Sequence, residues 1–141
     1  MRLGIHGWRL CAHRTGVPRY LRSLVREWSG TSSQRFSDIT LYTPRPLDED
    51  DEQAIAPSIR RAVLPSSARM LVWENLHLGP RTSDDVLFCP SYSRPLISRG
   101  RTVVVTHDMI YCVQPSLFPA HSRGFYPVSY THLRAHETLR Y

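Results

Sequence analysis

A histidine directly after an apolar β-branched run, with a carboxylate beside it, is the pair in this chain best suited to chemistry: His107 and Asp108 follow Thr102-Val103-Val104-Val105-Thr106. An imidazole there can donate to a sugar hydroxyl or a leaving-group oxygen, and its charge is tunable near neutral pH. The plain alternative is a hydrogen-bonded structural histidine. Asp108 reads either as a carboxylate for acceptor hydroxyls or as a helix cap, with spacing favouring the cap. A second polar group follows another apolar run, at Pro90-Ser91-Tyr92-Ser93. A third is the loop from Gly7 to Pro18, which holds Arg9, His13, Arg14, Thr15 and Gly16. Glycine lets a ligand approach the backbone, and a helix N-terminus offers unpaired N–H groups to an anion. Gly16-Val17-Pro18-Arg19-Tyr20 is nevertheless no dinucleotide fingerprint, Pro18 removes one donor, and a tight strand-to-helix turn explains the loop equally well.

The elements that must carry these groups follow from periodicity and punctuation. Leu3-Gly4-Ile5 predicts a first strand. A helix is signalled from Pro18, since proline suits a first turn, with Leu21, Leu24, Val25 and Trp28 on one face and Ser29-Gly30 at its end. Arg19, Arg22 and Arg26 lie on another face, read as a solvated basic surface or as a contact for anionic lipid. Residues 38–42 predict a second strand, and 60–64 a short third. The acidic stretch 48–52 lacks apolar spacing and is read as a solvated loop. Residues 68–78 predict a helix, and 85–89 and 102–106 two further strands. The last, a continuous β-branched run, is expected to be covered on both faces of a parallel sheet. Strands alternating with helices argue for an α/β layer structure. In such sheets ligands bind beyond the carboxyl ends of the strands, where all three polar groups fall.

Composition narrows the classes. With 141 residues and 41 % hydrophobic residues the chain suits one globular domain. No apolar run reaches the roughly 20 residues of a membrane span, and the N-terminus, interrupted by His6 and Gly7, does not read as a signal peptide, so a cytoplasmic location is expected. Cys11, Cys89 and Cys112 lack C-x-x-C pairing and read as ordinary core or loop residues. The net charge of +6 is carried by arginine alone, with no lysine present. Without zinc-finger spacing, an RNA-binding aromatic motif or a basic tract, a nucleic-acid partner is not expected.

The motifs in their order resemble a known family. Gly16-Val17-Pro18-Arg19-Tyr20 resembles the glycine-arginine-tyrosine motif that opens the first helix of family 4 glycosyltransferases. Trp73-Glu74-Asn75-Leu76 resembles a tryptophan-glutamate segment of the mannosyltransferase-like branch, and residues 85–92 its next strand and loop. Val104-Val105-Thr106-His107-Asp108-Met109 resembles the valine-threonine-histidine-aspartate strand end, and Pro115-Ser116-Leu117-Phe118-Pro119 the segment after it. The match runs from Arg2 to about Tyr126 and departs at Pro18, where the family has glycine. The resemblance implies a GT-B architecture of two Rossmann-like domains, of which residues 1–127 would be the incomplete N-terminal, acceptor-side half. It implies transfer of a sugar, with mannose the candidate, from a nucleotide-sugar donor to a glycan or lipid-linked acceptor, without metal or cofactor. The fragment would lack the donor-binding domain and be inactive alone. His107 and Asp108 would be the catalytic pair, Gly16, Arg19 and Tyr92 the acceptor or phosphate contacts, with peripheral contact at the inner membrane face. A non-catalytic Rossmann-like binding module is the alternative.

Residues 128–141 do not continue the pattern. Residues 128–138 resemble the conceptual translation of a transposon-end sequencing adapter, so this tail is expected to be foreign and disordered. On that reading His132 and His136 lose their appeal as half a zinc site.

Overall fold

The structure is a computed structural model that describes residues 1–12, 16–31, 36–108 and 110–117. The tail expected to be foreign, residues 128–141, lies outside the described residues.

Five strands form one all-parallel sheet: β1 Arg2–His6, β2 Asp38–Thr43, β3 Ile59–Val63, β4 Val86–Cys89 and β5 Arg101–Val104, in the order β3-β2-β1-β4-β5. The α/β, Rossmann-like expectation holds. The chain winds outward from β1 first to one side and then to the other, so the order reverses between β1 and β4. In open α/β sheets ligands bind outside the strand ends at such a reversal. Register places Ile5 beside both Leu41 and Phe88, which brings the carboxyl ends of β1, β2 and β4 level.

Side-chain alternation in β1 sends Leu3 and Ile5 to one face and Gly4 and His6 to the other. The first face is covered by α1 Gly16–Thr31. Leu21 and Val25 are fully buried there, while Leu24 and Trp28 pack against the same cluster, the Trp28 ring meeting Phe88 edge-on at 5.1 Å. Each such aliphatic side chain removed from water contributes about 1.5–3 kcal/mol. Pro18 is buried in the first turn, where its missing N–H interrupts no helical bond.

The opposite face carries Tyr42, Leu87 and Cys89 beneath Trp73 and Leu78. The predicted helix over 68–78 is instead three joined pieces: α3 Met70–Trp73, a π-helical turn Glu74–Leu78 and α4 Gly79–Arg81. Trp73 is anchored by its indole N–H, which donates to Leu64 O at 2.8 Å. Gly4 lies on this face because a Cβ there would sit 2.6 Å from Asp84 Oδ2, the atom that accepts from the Tyr42 hydroxyl at 2.8 Å.

Three expectations change. The acidic stretch is a helix, α2 Glu49–Ala54, opened by Asp48, whose Oδ1 accepts from Asp51 N at 2.9 Å. Asp51 is buried and takes a two-pronged bond from Arg22 of α1, Nε at 2.5 Å and Nη2 at 2.6 Å. Arg22 therefore leaves the basic face, which keeps Arg19 and Arg26. The run at β5 is not covered on both faces. It is an edge strand of alternating exposure, with Val103 49 % exposed, because β4 is its sole neighbour among the described strands. Cys11 and Cys89 are free thiols, partly and fully buried respectively, as expected. Among the described residues no helix is long and apolar enough to cross a membrane.

Candidate functional site at the strand ends

The loops after β1, β4 and β5 meet at one rim. Gly7 turns the chain out of β1 with its N–H on Tyr42 O at 2.8 Å, leading into a 3-10 turn, Trp8–Cys11. From that turn Arg9 reaches the loop after β4, donating from Nε to Ser91 Oγ at 3.2 Å. The β4 loop is tied to the chain after β5 by Tyr92 N–H on Val105 O at 3.1 Å. Tyr92 has φ +34°, the left-handed region that non-glycine residues seldom occupy. Strain of that kind persists where surrounding contacts over-determine it.

His107 stands at this rim, three residues beyond the last residue of β5. Its Nε2 lies 2.7 Å from Pro90 O. A carbonyl only accepts, so Nε2 carries a proton in this contact and Nδ1 is left for another partner. Two aromatic rings flank it edge-on: Tyr20 at 5.2 Å and Tyr92 at 5.8 Å. Tyr20 belongs to the first turns of α1, so the helix that starts at Gly16 and the imidazole share one edge of the molecule. An added Cβ on Gly16 would meet nothing within 4 Å, and its φ is not positive, so neither packing nor backbone conformation among the described residues demands glycine there.

The other predicted residues fall elsewhere. Arg19 lines a cleft of about 470 Å³ with Arg22, Arg26, Asp50 and Asp51, between α1 and α2. Successive helical residues point about 100° apart, and Tyr20 is the one that meets His107. A larger cleft of about 570 Å³ lies nearby, lined by Leu10, Cys11, Arg22, Arg45 and Asp48 among others. Neither cleft is lined by His107 or Tyr92. Asp108 lies two residues before the short helix α5 Ile110–Val113, and its Oδ1 accepts from the first helical N–H, Ile110 N, at 3.2 Å. That is the capping role spacing favoured.

Sequence reading passed over two residues beneath the rim. His6, the last residue of β1, is 2 % exposed and its ring meets Trp73 edge-on at 5.2 Å, 87° between planes. Burial, with a smaller contribution from the Arg9 charge, lowers its pKa to about 4. Glu74, first residue of the π-helical turn, is fully buried. Burial raises its carboxyl to about 7, against the pull of Ser93, Arg9 and Arg94. The Ser93 hydroxyl has one proton, directed at Ser91 O at 3.3 Å. While it is there, Glu74 does not receive it, and both carboxyl oxygens stand without a partner, as do both ring nitrogens of His6. The available signal for Glu74 was its spacing of four from buried Leu78, which puts both on one helix side.

Fold and rim together define an α/β protein with a Rossmann-like sheet and a polar rim at its switch point. No family model, curated protein or solved structure matches the chain. Among the described residues no three His, Cys, Asp or Glu side chains converge on a point that could hold a metal ion.

Proposed function

We propose that this chain is the acceptor-side half of a glycosyltransferase of GT-B architecture. The intact enzyme would transfer a sugar, with mannose the first candidate, from a nucleotide-sugar donor to a glycan or lipid-linked acceptor. The observation that carries the reading is the gathering of Tyr20, Tyr92 and His107 on one rim beyond the carboxyl ends of a parallel sheet. The ordered motif resemblance supplies the reaction class. In this reading His107, oriented by Pro90 O, uses Nδ1 to accept from a hydroxyl of the transferred sugar, and the tyrosine rings wall the position. Asp108 organises the following turn instead of touching substrate. The open first turn of α1 at Gly16 leaves room for an acceptor phosphate or hydroxyl. Arg19 and Arg26, exposed at the cleft between α1 and α2, suit contact with an anionic membrane surface.

The test is to express the complete reading frame that contains this segment and assay it with a panel of nucleotide sugars. Turnover with at least one donor is expected. His107→Ala is expected to lower it about tenfold, the loss of one hydrogen bond to the transferred sugar. Unchanged turnover in a folded His107→Ala enzyme removes the assignment.

A further inference from the structure

Buried polar groups are hydrogen-bonded as a rule, and each exception calls for a reason such as a water, an ion or a ligand. Among the other described residues Arg22 meets Asp51, Tyr42 meets Asp84, the Trp73 indole meets Leu64 O, and Arg61 Nε, which makes no hydrogen bond, is ion-paired with Glu52 Oε1 at 2.9 Å. His6 and Glu74 depart from the rule together. Both border Trp73, and the positive charge of Arg9 faces both. Glu74 is also faced by Cys89, Ser93 and Arg94 from β4 and its loop. The end of β1 and the π-helical turn thus supply four unsatisfied atoms, and the loop after β4 faces those of Glu74.

Two features of the backbone point the same way. The helix shifts into π register at Glu74, so that Gly79 N–H reaches back five residues to Glu74 O. Such single turns are found frequently at functional sites. The loop overhead contains Tyr92 with its positive φ. Helix and loop are both distorted where the unpartnered groups lie.

We infer that Glu74, His6 and Ser93 form the floor of a subsite for adjacent hydroxyl groups of a neutral sugar, reached between the Trp8–Cys11 turn and the loop at Ser91 and Ser93. The inference deepens the transfer reading, naming groups that hold a sugar. A hydroxyl both donates and accepts, which suits a carboxyl brought near neutrality by burial and a neutral imidazole with one donor and one acceptor nitrogen. An anion would face Glu74, and a cation would face Arg9 and Arg94. Trp8, half-buried and tilted against Trp73 at 5.5 Å, supplies an apolar wall, as ligand pockets commonly pair aromatic walls with a few placed polar groups. The Arg9–Ser91 bond spans the approach at 3.2 Å and is exchanged for bonds to the ligand.

The experiment titrates the full chain with methyl α-mannopyranoside, following the His6 ring and the Trp8 and Trp73 indole N–H signals by NMR. Saturable shifts are expected for the unsubstituted protein. Binding should weaken about tenfold in Glu74→Leu and about threefold in Ser93→Ala, corresponding to loss of a charged-group and of a neutral hydrogen bond. Glucuronate and glucosamine should bind more weakly than the neutral sugar. Absence of saturable shifts means buried water alone fills the site and overturns the proposal, as does full-strength binding by folded Glu74→Leu or stronger binding of either charged sugar. If Glu74→Leu does not fold, Ser93→Ala decides alone. Sugar binding here without turnover in the complete reading frame would sink the transfer reading alone, and turnover untouched by Glu74→Leu without binding would sink this subsite alone.

Discussion

Two buried acidic groups in this molecule have opposite surroundings. Asp51 sits between α1 and α2, where both its oxygens receive bonds from Arg22. Glu74 sits under the strand ends, where neither oxygen has a partner. The first arrangement joins two helices and leaves nothing over for a ligand. The second leaves hydrogen-bonding capacity buried and unused, at a cost to stability that packing alone does not explain. His6 repeats the second pattern with an imidazole. The contrast separates groups that hold the fold from groups the fold holds in readiness.

The sharpest way to break that contrast is Asp51→Ala. It strands Arg22 beside a vacated position, and losing one partner of a buried pair costs about 3–5 kcal/mol. Urea unfolding should show that loss, and a change near zero would place the pair with surface ion pairs. Next in size is His6→Phe, which keeps an edge-on ring against Trp73. The native state holds His6 at about 4, below the ordinary 6.5, so it binds fewer protons than the unfolded chain between those values. His6 therefore contributes stability above pH 6.5 that is lost as pH falls toward 4, about 3 kcal/mol across the window. His6→Phe should remove that acid-side loss, as read from unfolding midpoints at pH 4 and 7. The smallest effect belongs to Asp108. As a cap it should cost about 1 kcal/mol when replaced by alanine and a few tenths or less as asparagine, which caps equally well. Asp108→Asn should also keep turnover in the complete reading frame within about threefold, below the tenfold that corresponds to 1.4 kcal/mol, whereas a larger drop would return Asp108 to the reacting groups.

Much of the sheet was readable because β-branched runs, prolines and glycines punctuate the chain where the strands fall. The helix from Gly16 was readable through its Leu21, Leu24, Val25 and Trp28 face. What misled was whatever depended on distant partners. The run at β5 resembles a covered strand, yet a run of valines says nothing about whether another strand lies beside it. The acids at 48–52 read as charge alone, although Asp48 at an N-cap followed by first-turn acids is also a helix-start pattern. Their partner Arg22 is far away in sequence. His107 could be found because strand ends in parallel sheets are ligand edges. Its neighbour Tyr20 could not, since helical rotation decides whether Arg19 or Tyr20 faces the rim. Burial of His6 and Glu74 arises only once β1, the π-helical turn and the β4 loop come together.

Stability against pH in Glu74→Gln tests most directly whether the strand-end carboxyl is kept at the expense of the fold. Glu74 is held at about 7 in the native state against an ordinary 4.5, so the folded protein binds more protons between those values. Its contribution therefore falls as pH rises from 4.5 through 7, by about 3 kcal/mol, opposing the rise from His6 where the windows overlap. In the unsubstituted protein these two slopes largely cancel between pH 4.5 and 6.5. In Glu74→Gln the His6 slope should emerge alone, with stability climbing from pH 4 to 6.5 and exceeding that of the unsubstituted protein at pH 8. A variant with an unaltered profile and lower stability at pH 8 would mean that Glu74 is satisfied and structural, contradicting its role as a group reserved for a ligand.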